Sequence, residues 1–307
     1  MEKLPILLIT YKRLGTTKQV LDSIKVYRPD QLFLFSDGPK DVESDLNKIQ
    51  AVRGYIDNFV DWPCSVQKMY KTKNIGCKYG PQSAITWFFE NVEQGIILED
   101  DTVPNESFYI YCRILLEFYR NDFRIWNIAG TKLENHQLQT NVSYRFSKFP
   151  HTWGWATWAN RWKAHVNNLP NLKKDADSPL ILNCFPNKNI IKEWKQKALV
   201  SLDDELDAWD YLWSFRVLMN GGLSISPNKN LVSNIGFGED ATHTFVDAKN
   251  SIVKTEKLDF PLVHPRIILP DIQKDIAFFE EYFNWKTLTS KLKISHIIAV
   301  IRNRLGF

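Results

Sequence analysis

Three consecutive carboxylates, Glu99-Asp100-Asp101, directly follow the apolar run Gly95-Ile96-Ile97-Leu98. Neighbouring carboxylates repel one another, and a cation or hydrogen-bond donors must relieve that repulsion. A set of oxygen donors suits a hard divalent ion, which makes Mn²⁺ or Mg²⁺ the expected cofactor. Acidic turns in water are common. Here the acids close a segment that reads as a buried strand, and Pro104 and a helical pattern follow, so a solvated turn is the weaker reading. His243, in Gly-Glu-Asp-Ala-Thr-His-Thr (238–244), is a candidate second metal ligand or anion contact, since imidazole serves either purpose, with the structural role usual for a lone histidine as the alternative. Glu239 and Asp240 beside it read as loop residues.

The elements that would position these groups follow from hydrophobic period. Pro5–Tyr11 is a continuous apolar run, as in a buried parallel strand. Thr16 or Thr17 can cap the next segment, where Val20, Leu21, Ile24 and Tyr27 fall at helical spacing. Strands are then expected at Gln31–Ser36, Cys64–Tyr70, Gly95–Leu98 and Arg124–Ala129. Helices are expected at Asp41–Phe59, Pro81–Val92 and Asn105–Tyr119. This alternation predicts an α/β fold with a mainly parallel sheet and helices on both faces. Ligands of such sheets bind outside the carboxyl ends of the strands. Thr10 to Arg13, Asp37 and Glu99 to Asp101 all lie at those ends and are expected in one crevice.

Beyond residue 130 the alternation stops. Trp153-Gly154-Trp155-Ala156-Thr157-Trp158 is an aromatic cluster, Asn189–Val200 and Asp207–Met219 read as helices, and Leu231–Ile235 reads as a short strand. With no low-complexity linker, residues 1–285 are expected to form one domain, its halves 1–130 and 131–285 packed as one unit. The tail, 286–307, differs. Leu288, Leu292, Ile298, Ile301 and Leu305 could line one helical face, with Lys286, Lys291, Lys293, Arg302 and Arg304 around it. That pattern suits either packing on the domain or an anionic membrane surface.

Bulk properties exclude several classes. A net charge of +4 over 307 residues does not argue for nucleic acid. Cys64, Cys77, Cys112 and Cys184 match no zinc or redox spacing and read as free thiols. The first apolar run is far too short to span a membrane. The expectation is a cytoplasmic protein, peripheral at most on the inner face of the membrane.

The segment Ile97 to Tyr111 (ILEDDTVPNESFYIY) resembles the metal-site segment of GT-A glycosyltransferases. It is similar to the N-acetylglucosaminyltransferase I family and to bacterial hemolysin-like nucleotide-diphospho-sugar transferases. The likeness covers most of residues 5 to 245, with Trp-Gly-Trp-Ala-Thr-Trp (153–158), Trp209-Asp210-Tyr211 and Ser-Asn-Ile-Gly-Phe-Gly-Glu-Asp-Ala-Thr-His-Thr (233–244) as its other blocks. Carried over, it implies Asp101 as the direct metal ligand, Asp100 at the ribose and Glu99 at the donor sugar. It implies that Arg13 helps hold the diphosphate, that Asp37 reads a uracil edge, and that Lys78 contacts the nucleotide where the eukaryotic enzymes have His. A positive side chain before a helix N-terminus also suits a phosphate. The 149–158 segment resembles a loop that closes the sugar pocket, with Gly154 letting the backbone approach and Trp153 and Trp155 as flat walls. For each tryptophan, core packing is the equal alternative.

The resemblance implies transfer of a sugar, with inversion, from a nucleotide-diphosphate donor such as a UDP-sugar to a hydroxyl of a glycan or lipid-linked acceptor. Asp210 matches the base region of inverting relatives, with altered spacing and Asp207 as the fallback. Two rival readings stand beside it. A sugar nucleotidyltransferase usually carries a Gly-rich loop after the first strand, where this chain has only Gly15. A carbohydrate-binding module leaves the acidic triplet unexplained.

Overall fold

The strand Ile6–Thr10 (β1) is buried at every position because it is hydrogen-bonded on both sides. Gln31–Ser36 (β2) and Gln94–Glu99 (β4) flank it in parallel, with Thr10 opposite Ser36 and Ile9 opposite Glu99. The computed structural model describes residues 3–132, 141–237 and 253–282. His243 and the tail 286–307 therefore lie outside the described residues.

Ser65–Tyr70 (β3) pairs with β2 in parallel at the sheet edge. Thr102–Pro104 (β5) leaves the large sheet and pairs antiparallel with Val232–Asn234 (β10). The large sheet continues through Ile125–Ala129 (β6), Tyr144–Ser147 (β7), Trp155–Trp158 (β8) and Leu223–Pro227 (β9). Its eight strands run in the order β3-β2-β1-β4-β8-β6-β9-β7. Its first four strands are parallel, and β8 enters antiparallel between β4 and β6. The last four residues of the segment that resembles a pocket loop, Trp155–Trp158, are thus a strand at the middle of the sheet.

Helices cover both faces, as the alternation predicts. Ile6 and Leu8 pack with Val20, Leu21 and Ile24 of Leu14–Tyr27 (α1), and with Leu115 and Leu116 of Glu106–Phe118 (α4). Leu7 and Ile9 face the other way, towards Ala84, Ile85 and Phe88 of Gly76–Asn91 (α3). Trp162 of Ala159–Asn168 (α5) and Trp213 of Asp210–Met219 (α8) complete that side. This alternation of side chains across a strand buried on both faces is why β1 reads as uninterrupted apolar sequence. Val42–Asp57 (α2) joins the α1 side through Val52 and Ile56.

Several helix starts differ from expectation. Helix α1 begins at Leu14, and Thr17 Oγ1 donates to Arg13 O at 2.6 Å without acting as an N-cap. Helix α3 begins five residues before Pro81. Helix α8 begins at Asp210, leaving Asp207 in the turn before it.

A third cluster joins Leu172–Ala176 (α6), Lys188–Leu202 (α7), α8 and Ile272–Tyr282 (α9) around Phe149. The carboxylate of Asp275 in α9 is buried. It accepts from Arg145 Nη1 at 3.0 Å, Ser147 Oγ at 2.7 Å and Lys148 N at 2.8 Å, which fastens α9 to β7. Among the described residues no helix is long and apolar enough to cross a membrane. All four cysteines are free.

Candidate active site

The carboxyl ends of β1, β2 and β4 lie side by side, and those of β1 and β4 deliver charged residues to one acidic centre. Glu99 ends β4. Its N–H donates to Thr102 Oγ1 at 2.9 Å, and that hydroxyl donates back to Glu99 O at 3.0 Å. This closes a tight turn that presents Asp100 and Asp101. Both are nearly buried.

Arg13, three residues beyond β1, reaches across to them. Its Nη2 donates to Asp101 Oδ2 at 2.7 Å and also to Asp100 Oδ1. Tyr11 N donates to the other oxygen of Asp100 at 3.3 Å. The loop is held from behind by Asp45 of α2, which accepts from Lys12 Nζ at 2.6 Å and Tyr11 Oη at 2.7 Å. Those two contacts hold the Asp45 carboxyl well below the usual carboxylate range.

One guanidinium does not balance three carboxylates. Burial first, then Asp101, Asp100 and Asp210, push the Glu99 carboxyl up to about 8, with Arg13 opposing. Burial likewise raises Asp100 against the pull of Arg13. For Arg13, burial works against the charge, but Asp100 and Asp101 outweigh it and raise its pKa further. The crevice therefore favours an additional positive charge. Among the described residues no three His, Cys, Asp or Glu side chains converge as a complete metal-binding group. The donor set fits a Mg²⁺-like ion held by one or two carboxylates, with substrate phosphate and water filling the remaining positions.

Gly236 lies against this centre. A Cβ on it would stand 2.0 Å from Asp101 Oδ2 and 2.9 Å from Arg13 Nη1. Ile235 N donates to Asp101 O at 2.8 Å. Any side chain at 236 would displace the ion pair. The sequence reading missed this role, although the Gly-rich stretch 236–238 was its visible signal.

Asp210, the first residue of α8, is partly buried and close enough to Glu99 to raise its pKa. The thiol of Cys77 also faces this field. Burial, then Asp207, Glu99 and Asp37, push it up to about 12. Nothing in the spacing of Cys77 pointed there.

Other candidates have different partners. Thr10 Oγ1 donates to Phe35 O at 2.8 Å, so its hydroxyl proton ties β1 to β2. The Asp37 carboxylate accepts from Gly38 N at 2.8 Å, Asn74 Nδ2 at 3.0 Å, Ile75 N at 3.1 Å and Gly76 N at 3.2 Å. It organises the turn before α3, and those donors occupy the oxygens that a base edge would need. Lys78 is 5% exposed, and its ammonium is held by Ser201 O, by Leu202 O at 3.1 Å and by Asp204 Oδ1 at 2.7 Å. The anticipated phosphate contact is taken up by the protein itself. Asp207 has both oxygens on the amides of Cys77 and Lys78.

The two tryptophans of the expected sugar wall divide. Trp155 is fully buried, stacked on Trp209 at 5.8 Å and packed against Trp213 at 5.5 Å. It belongs to the core, because β8 is an interior strand. Trp153 is partly exposed and meets Phe237 edge-on at 6.1 Å. Gly154 between them adopts a φ of +65° with Val232 against its α-carbon.

No protein-family model matches the chain, and no curated protein matches it. Among solved structures, the chain is similar to HddC from Yersinia pseudotuberculosis at 9% identity, covering 51% of this chain and 77% of that one, with a TM-score of 0.31. The same protein complexed with GMP-PN gives 8% identity and a TM-score of 0.30 over the same shares. S. aureus TarS 1-349 gives 13% identity and a TM-score of 0.34, covering 57% of this chain and 49% of that one. The chain thus spans about half the length of the TarS structure. At these scores the α/β assignment stands on the chain's own strand order.

Proposed function

We propose that this chain is a metal-dependent glycosyltransferase of the GT-A class, moving a sugar with inversion from a nucleotide-diphosphate donor to a hydroxyl of a glycan or lipid-linked acceptor. The observation that carries this reading is the crevice itself. The ends of the parallel strands β1 and β4 bring Arg13 against Asp100 and Asp101, with Glu99 beside them and Asp210 near enough to add to its field. Asp101, with Asp100 beside it, would hold Mn²⁺ or Mg²⁺, and that ion supplies charge stabilisation for a departing diphosphate. Arg13, paired with the same two carboxylates, would add a second positive charge for the leaving group. Asp210, at the start of α8, is the group that takes the acceptor proton. Trp153, at the rim, offers a flat apolar face to a sugar ring. His243 is proposed as a further metal or diphosphate contact, and a uridine nucleotide as the donor.

A panel of nucleotide sugars scored by thermal shift, with and without Mn²⁺, tests the reading. A ligand that binds only the folded state must raise the apparent stability. The expected result is a shift for one nucleotide diphosphate sugar that needs the ion, followed by release of the nucleoside diphosphate. Release of pyrophosphate would instead mark a nucleotidyltransferase. Absence of any nucleotide-dependent shift would remove the proposal.

A further inference from the structure

The turn between α7 and α8, residues 203–209, is tied to the start of α3 at two points. At the first, the buried ammonium of Lys78 donates to Ser201 O, to Leu202 O at 3.1 Å and to Asp204 Oδ1 at 2.7 Å, and Tyr79 Oη donates to the same Asp204 oxygen at 2.7 Å. Asp204 is held at a φ of +63°, an unusual conformation for a non-glycine residue. At the second, Asp207 Oδ1 accepts from Lys78 N at 2.6 Å and Oδ2 accepts from Cys77 N at 3.0 Å. A carboxylate on the first free amides of a helix is favoured by both hydrogen bonding and the helix dipole. Gly76 makes the approach possible. Its φ is +83°, and a Cβ there would lie 2.9 Å from both Asp207 oxygens.

The turn is rigid in itself. Glu205 N and Leu206 N both donate to Val200 O, at 2.9 and 3.1 Å, and Ser201 Oγ donates to Ala208 O. Three residues after Asp207 comes Asp210, which opens α8 within reach of Glu99's charge. On the other side, the turn before α3 is gripped by Asp37. A continuous set of contacts therefore runs from the end of β2, through the start of α3, to Asp210.

We propose that Lys78 and Asp207 are positioning residues, a two-point lock that fixes the 203–207 turn on α3 and so sets where α8 begins, at Asp210. Neither residue touches substrate. The lock stands on contacts alone, and only its consequence for turnover rests on the glycosyl-transfer reading.

Hydrogen–deuterium exchange on the full chain tests it, comparing wild type with Lys78→Met, Lys78→Arg and Asp207→Asn. Both Lys78→Met and Asp207→Asn are expected to speed exchange in the first turn of α8 roughly tenfold, as expected for loss of a cap-like contact, while β1 and α4 keep wild-type protection. Lys78→Arg, which keeps the charge and the donors, should restore most of the protection. Maleimide labelling of Cys77, in a Cys64→Ser, Cys184→Ser background, should accelerate in parallel. Should Lys78→Met not fold, Asp207→Asn, at an exposed position, carries the same comparison. Wild-type exchange at 210–213 in Asp207→Asn overturns the proposal, whatever the activity. If a nucleotide sugar is turned over, kcat should fall with KM for the donor unchanged. A raised KM with unchanged kcat would make Lys78 a donor ligand and overturn its assignment as a positioning residue. If no donor is turned over by wild type, the functional reading fails, and the exchange data still decide the lock.

Discussion

Arg13 Nη2 lies 2.7 Å from Asp101 Oδ2, and the same nitrogen also bonds Asp100. The guanidinium is thus the internal counter-ion of the acidic centre proposed to hold a divalent ion. Arg13→Met should lower stability by about 2 kcal/mol, below the cost of a fully buried pair because the Arg13 side chain is 21% exposed. Mn²⁺ should then raise the melting temperature of the variant more than that of wild type, since the ion replaces the lost charge. Equal Mn²⁺ shifts in the two proteins would show that no cation binds at this centre. Asp101→Asn should keep the fold and lose the Mn²⁺ shift together with most activity.

Asp210→Asn should reduce turnover by about 10²–10⁴-fold, the usual range for loss of a general base, and leave donor binding in place. Thermal shift with the donor separates the two effects. A variant with near-normal turnover would move the base assignment away from Asp210.

Trp155→Ala should cost about 3–5 kcal/mol, because it empties a fully buried site among Trp209, Trp213 and Trp162. Trp153→Ala should stay close to wild-type stability and weaken sugar binding instead. Chemical denaturation of the two variants checks the contrast. Similar losses in both would return Trp153 to the core.

His165 is fully buried beside Trp162 and Trp213, and neither ring nitrogen has a hydrogen-bond partner. Burial, with a smaller contribution from Arg216, lowers its pKa to about 3. In the unfolded chain it protonates near 6.5. Below that value the unfolded state binds the extra proton, so stability falls as pH drops from about 6.5 towards about 3. The slope contributed by this group is about 1.4 kcal/mol per pH unit. His165→Leu should remove that contribution, and its melting profile between pH 7 and 5 should be flatter than wild type. Parallel profiles would refute it.

Helix α9 belongs to the core through Phe278, Phe279 and the buried Asp275–Arg145 pair. A chain ending before Lys286 should therefore fold and still bind donor. If the basic tail engages an anionic membrane surface, the shortened chain should lose binding to anionic vesicles, and full-length binding should weaken with salt. Vesicle binding retained by the shortened chain would place the membrane contact elsewhere. Asp275→Asn, by contrast, should destabilise by about 3 kcal/mol, as expected when a buried ion pair loses one partner.

What the sequence determined by itself is set by neighbours along the chain. A strand buried on both faces must be apolar throughout, and helices must carry apolar residues at their own spacing. The strands β1, β2, β4 and β6, and the helices between them, were therefore legible to within a few residues. The acidic triplet was legible for the same reason, since its place at the end of β4 depends only on the residues around it. Tertiary structure decided where side chains with a choice of partners spent their hydrogen bonds. Lys78 found its acceptors at residues 201–204, and Asp207 found the amides of 77 and 78, partners 123 to 130 positions apart. The buried ammonium of Lys78 goes to whichever acceptors folding brings within reach, because leaving it unpaired costs far more than any local preference, and Asp207 goes to the free amides that folding places at the start of α3. Trp155 was decided in the same way. Its pattern fits a loop or a strand equally well, and only the antiparallel insertion of β8 between β4 and β6 made it core.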